Sequence, residues 1–203
     1  MRTIDPKPSS ALGFLTVLDC ADCGLIGGYL VLNRNGRPLE FHCTAPIKPN
    51  RAQQILYGPT LEPFLFGEQI GQTLLSKGAV EPEVICTDRQ PALAVREFVE
   101  VPVALVLSGG PLVSPDEDPD LASRSLAPTE GTIHRLDPPH GLGPHHLAFR
   151  LGRNHLAVSP FAAGDRELIA ERLGELAETF DLAEPFQRIR EAIEEARRGG
   201  SGQ

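Results

Sequence analysis

Apolar residues fall first in short runs and later at helical spacing, so the pattern divides the chain into a strand-rich front and a helical back. Phe14–Asp19 (FLTVLD) and Gly28–Asn33 (GYLVLN) are brief runs of β-formers, and Leu39–Thr44 (LEFHCT) follows across Asn35-Gly36, a pair that tolerates the positive φ of a tight hairpin. The reading is three consecutive antiparallel strands. Pro46, Pro49 and Asn50 close this meander, and Asn50 is placed to cap a short helix through Tyr57 before Gly58-Pro59 interrupts it. After Thr60, a second capping residue, Leu61, Leu65, Phe66, Ile70, Leu74 and Leu75 recur at spacings that predict an amphipathic helix over Leu61–Ser76, stopped at Gly78.

Glu83–Thr87 (EVICT) reads as a buried strand with Asp88 at its C-terminal end, where open α/β sheets expose their working groups. A helix over Pro91–Phe98 then leads into Val101–Leu107, an uncharged β-rich run. Two strands joined by a helix predict a parallel, right-handed crossover. Residues 108–145 break the pattern with Ser108-Gly-Gly-Pro111, the acidic Pro115–Pro119 and Pro138–Pro144, which is the chemistry of an insertion or linker. Residues 146–198 resume order. His146–Leu151 and His155–Val158 suit a short hairpin around Gly152, and two amphipathic helices follow. Leu168, Ile169, Leu173, Leu176 and Phe180 mark one face; Phe186, Ile189, Ile193 and Ala196 mark the other after Pro185.

With 203 residues, 41% hydrophobic, the chain can bury one substantial core, expected over residues 11–107 and completed or capped by residues 146–198. The net charge of −8 excludes a cationic sleeve for nucleic acid, so a polyanion would need a local site. The acidic excess lies in the second half, in the insertion and the C-terminal helices. Ala11–Leu32 is apolar enough to raise a membrane span, but Asp19 and Asp22 near its centre argue against insertion. Met1–Ser10 has no apolar leader core, so a soluble, cytoplasmic protein with reduced cysteines is expected.

The strand order and the acids that end the strands bring a resemblance into view. Gly27–Phe41 (GGYLVLNRNGRPLEF) is similar to the second and third strands of the ribonuclease H-like superfamily, and Glu83–Gln90 (EVICTDRQ) to its fourth strand with the terminal aspartate. The resemblance implies a ribonuclease H-like mixed α/β sheet with C-terminal helices. It also implies a metal-dependent nuclease or related phosphodiester-processing protein in which carboxylates hold two Mg²⁺, or Mn²⁺, about 3.5–4 Å apart and activate a water. On that pattern Asp19 matches the first carboxylate and Glu68 the helical one, with Glu62 competing. Asp88 matches the strand-ending carboxylate, Asp165 the late one, and His155 a proton-handling loop histidine. Nucleic acid would be the substrate. The sequence departs from the pattern in placing Cys20 directly after Asp19, in its long Pro-rich insertion, and in lacking a basic, aromatic-interleaved substrate handle.

Other readings stay open beside it. The same fold could serve as a non-catalytic binding or assembly subunit, meeting a protein partner through the C-terminal helices or the acidic loop. Each candidate acid also has a local role available: strand-end turn residues at Asp19 and Asp88, solvated helix charges at Glu62 and Glu68, an N-cap at Asp165. Cys20-Ala-Asp-Cys23 is a CxxC that His42-Cys43 and Cys86 could complete as a tetrahedral zinc site, or a redox pair by itself, or the thiols could simply pack. His134, His140, His145 and His146 crowd the later loop as metal or phosphate candidates or solvated side chains. Gly24–Gly28 has no Lys-Ser/Thr partner for a phosphate cradle, and neither GxSxG nor HExxH occurs.

Overall fold

A computed structural model of the chain describes residues 10–107 and 146–200; the start of the chain, the insertion with its acidic run, and His134, His140 and His145 lie outside the described residues. Seven strands make one sheet: β1 (Ala11–Cys20), β2 (Gly24–Asn33), β3 (Pro38–Cys43), β4 (Val84–Thr87), β5 (Val103–Val106), β6 (Leu147–Leu151) and β7 (Asn154–Val158). Their order is β3-β2-β1-β4-β5-β7-β6. β1, β2 and β3 are antiparallel neighbours, whereas β4 runs parallel to β1 and β5 parallel to β4. The first five strands therefore have the ribonuclease H-like arrangement. β7 and β6 extend the sheet antiparallel beyond β5, so residues 146–158 belong to the same sheet as residues 11–107.

Helices cover both faces. On one lie α2 (residues 61–75) and a 3₁₀ stretch over Gln90–Glu97, with α1 (Arg51–Tyr57) beside the start of α2; on the other lie α3 (Asp165–Thr179) and α4 (Glu184–Gly200). Alternation along β1 sorts the core accordingly: Leu12 and Phe14 pack with Ile169, Leu173, Phe186, Ile189 and Ile193, while Ala11, Leu15 and Val17 pack with Leu65, Phe66, Ile70 and Leu74. The apolar stripes of α3 and α4 are thus spent on the protein's own core. Leu168 and Ala196 are the exceptions, both lying exposed.

Several local features depart from the simplest expectation. β1 and β2 are longer than the apolar runs, because the hairpin between them needs only a few residues after Cys20, and Gly24 takes the left-handed φ of 97° that its close approach to the Ile47 carbonyl requires. β2 also runs straight through Gly27 and Gly28. A side chain at Gly27 would collide with Ile70 and Leu74, and one at Gly28 with Ile189 and Ile193, so two adjacent glycines admit helices on both faces. The central part of α2, Phe64–Gln72, has π rather than α hydrogen bonding, and the segment expected as a helix over Pro91–Phe98 is 3₁₀. Gly67 and Gly71 bring these two together, since a Cβ on either would meet Ala94 or Val95.

The β6–β7 hairpin fixes α4. Buried Asn154 donates to the carbonyls of Ala177 and Phe180, both at 3.0 Å, and accepts from the Leu182 amide at 2.9 Å. One side chain therefore satisfies the end of α3 and the turn into α4, which carries a row of arginines toward the C-terminal ends of β1 and β4.

Candidate functional site

In an α/β sheet the end where the parallel strands finish is where chemistry is sought first. Here β1 and β4 are paired so that Leu15 faces Thr87, which puts Thr16 beside Asp88. The Thr16 hydroxyl donates to Asp88 Oδ1 at 2.6 Å, and Arg190 Nη2 of α4 donates to Asp88 Oδ2. The Asp88 side chain is only 8% exposed. Arg89 turns the other way and donates from Nε to the Val17 carbonyl at 2.8 Å, tying the chain after β4 to β1.

Asp19 does not join this group. It lies three residues beyond Thr16, roughly 10 Å along the strand at about 3.3 Å per residue. Its odd position also places it on the face of Leu15 and Val17, whereas Thr16 and Asp88 occupy the face of α4. The position that meets Asp88 in register is a threonine. Glu62 and Glu68 are exposed on α2, on the sheet side opposite Asp88. His155 sits on β7, two strands from β4, with the parity of Ala157 and hence also on the α2 side.

Asp165 is at the other end of the sheet. It opens α3 as its first residue rather than as the N-cap, which is Gly164. Its carboxylate accepts from Arg96 Nε at 2.7 Å, Arg96 Nη2 at 3.1 Å and the Val103 amide at 3.2 Å, with the side chain 4% exposed. Val103 pairs with Ile85, three residues before Asp88, so the two aspartates are separated along the strands. Arg96 completes its own bonding at the Val99 carbonyl.

The expected set of Asp19, Glu68, Asp88 and Asp165 is thus spread over both faces and both ends, and its two buried members are each neutralised by an arginine. These residues do not fit a pair of magnesium or manganese ions, which need several converging oxygen ligands. No cluster of three or more metal-ligating side chains occurs among the described residues. The cysteine set fares likewise as a zinc site. Cys86 is opposite Phe14, six residues from Cys20 along β1, and Cys43 is opposite Gly28, whereas Cys20 is opposite Gly24. Burial pushes the Cys86 thiol up to about 12, making it an inert core residue.

Sequence reasoning missed Thr16, Arg96, Arg190 and Arg197. A signal for two of them exists: Phe186, Arg190, Ile193 and Arg197 recur at spacings of four, three and four, one stripe of α4 in which arginines alternate with buried apolar residues. Arg197 Nη1 donates to Cys20 Sγ at 3.1 Å, so this stripe meets β1 at its end as well as at Thr16 and Asp88. A cleft of about 230 Å³ lies toward the Asp165 end, lined by Leu93, Arg96, His146, Ser159 and Phe161 among others. Its arginine is the one already committed to Asp165.

Among the described residues no helix is long and apolar enough to cross a membrane. No protein-family profile and no curated protein matches the sequence. Among solved structures, the chain is similar to an endonuclease V variant of Ciona intestinalis in complex with a 23mer DNA containing an inosine followed by a ribo-adenosine. The identity is 16% and the TM-score 0.32, over 48% of this chain and 45% of that one, so the match spans less than half of either protein.

Proposed function

We propose that the chain is a non-catalytic ribonuclease H-like scaffold, a binding or assembly subunit. The observation that supports this reading is the pairing of Asp88 with Arg190 and Thr16. At the strand end where a two-metal nuclease gathers carboxylates, this chain offers one acid, a neighbouring hydroxyl and a built-in cation. The guanidinium takes up the charge that a divalent ion would otherwise balance, and it arrives on a helix cemented to the sheet. Partner contact is assigned to surfaces other than the stripes of α3 and α4. The best candidate is α1, capped by Asn50, with nothing buried and with Ile55 66% and Leu56 82% exposed.

The test is to incubate the full chain with single- and double-stranded DNA and RNA in Mg²⁺ and in Mn²⁺, and to follow thermal unfolding across the same metal titrations. The expected result is no cleavage above a heat-killed control and a melting temperature unmoved by either ion. Cleavage that disappears in Asp88→Asn would overturn the proposal and restore a nuclease assignment.

A further inference from the structure

The four cysteines sit in three settings, and only one brings two thiols together. Cys86 is sealed in the core and Cys43 is exposed on the edge strand β3. Cys20 and Cys23 flank the β1–β2 turn, where the Cys23 amide donates to the Cys20 carbonyl at 3.2 Å. An i to i+3 turn holds its end Cα atoms within about 7 Å, and a disulfide spans about 4.4–6.8 Å between Cα atoms, so the backbone already has the separation a disulfide needs. Both side chains are half-buried at the rim of the α4-side core rather than sealed beneath it. The third member is Arg197, whose Nη1 donates to Cys20 Sγ.

We infer that Cys20 and Cys23 form a redox-modification site, oxidised to an intramolecular disulfide by a small-molecule disulfide such as oxidised glutathione, and that oxidation loosens the end of α4 held by Arg197. The Cys23 thiolate attacks one sulfur of the oxidant, forming a mixed disulfide and expelling one thiolate. The Cys20 sulfur then attacks Cys23 Sγ, forming the Cys20–Cys23 bond and expelling the second. The two thiol protons end on the two released thiols, and the two electrons on the former oxidant bond. The neighbouring Cys23 thiol and partial burial hold the Cys20 thiol above its ordinary value, with Arg197 opposing them, which suits Cys20 to the second step. Forming the Cys20–Cys23 bond turns Cys20 Sγ toward Cys23 and away from the guanidinium. The end of α4 then loses that contact to β1.

The full chain is equilibrated in buffers of reduced and oxidised glutathione, its free thiols are trapped by alkylation, and peptides are weighed. The expected product lacks two hydrogens in the peptide holding Cys20 and Cys23, while Cys43 and Cys86 remain alkylatable after unfolding. In Cys20→Ser a glutathione adduct should accumulate on Cys23 and stay. Amide exchange over the last turns of α4 should quicken roughly fivefold on oxidation of the wild type, the scale of losing one modest hydrogen bond, and be indifferent to redox state in Arg197→Ala. A native protein that resists oxidation at every glutathione ratio, while its urea-unfolded form oxidises, would overturn the site. Oxidation with unchanged exchange at α4 would overturn the coupling to Arg197.

Discussion

At the start of β5, Asp165 accepts from both a forked guanidinium and a backbone amide, and its arginine is itself anchored to a carbonyl close by in the chain. At the end of β4, Asp88 accepts from a threonine of β1 and an arginine that comes from 102 residues further along the chain. Both acids are buried and both carry a cation; the first fastens the start of α3 to the 3₁₀ stretch and to β5, 69 and 62 residues away, and the second fastens α4 to the end of β4 across 102. Burial of an aspartate beside an arginine therefore does not mark catalysis; which elements the pair joins tells more about its role.

The sharpest way to break this comparison is to remove each acid's environment in turn. Asp165→Ala strips a buried three-donor acceptor and leaves the Val103 amide without its partner, so a loss of about 3–5 kcal/mol in urea unfolding is expected. Arg190→Ala should cost less, about 2 kcal/mol, since Thr16 still serves Asp88 and the arginine is 39% exposed; Arg190→Lys should recover part of it. Equal losses at the two ends would mean that the pairs are interchangeable in strength. Between the ends sits Cys86, whose raised value gives a pH signature. Below pH 9 its contribution is fully present, and it falls away as pH rises toward about 12, because the unfolded thiol ionises first while the folded one stays neutral. Cys86→Val should flatten that alkaline decline without changing the ranking of the two ends. The smallest effects belong to the acids outside both pairs. Asp19→Asn and Glu68→Gln should each change stability by less than about 0.5 kcal/mol.

Much of the sheet was legible because its strands carry apolar runs of β-formers punctuated by Asn35-Gly36 and by prolines. The crossover from β4 to β5 followed from the helical segment between them. The candidate site was less legible, and the reason is register. Asp19 stands at the end of an apolar run and reads as the strand's working acid, but nothing in the sequence says that β4 aligns its end with Thr16, and a shift of three residues changes both height and face. Asp165 was visible as a helix-opening acid, whereas its partner Arg96 and the amide of Val103 lie about 60 to 70 positions away. Arg190 lies on the apolar stripe of α4 between Phe186 and Ile193, but the sequence does not say that this stripe reaches Asp88, 102 residues away. The π hydrogen bonding of Phe64–Gln72 was hidden too, since apolar spacings of three and four describe an α-helix equally well.

Gly27 and Gly28 give the molecule a mechanical property of their own. At this step of β2 only backbone separates Ile70 and Leu74 above from Ile189 and Ile193 below. Neither helical layer can sink further, and neither can be padded outward without pushing on the strand beneath the other. The two layers share one spacer. A disturbance at the α4 surface is felt directly by α2 across the thickness of a peptide plane, and the amides of this step should exchange with solvent only when the whole sheet opens.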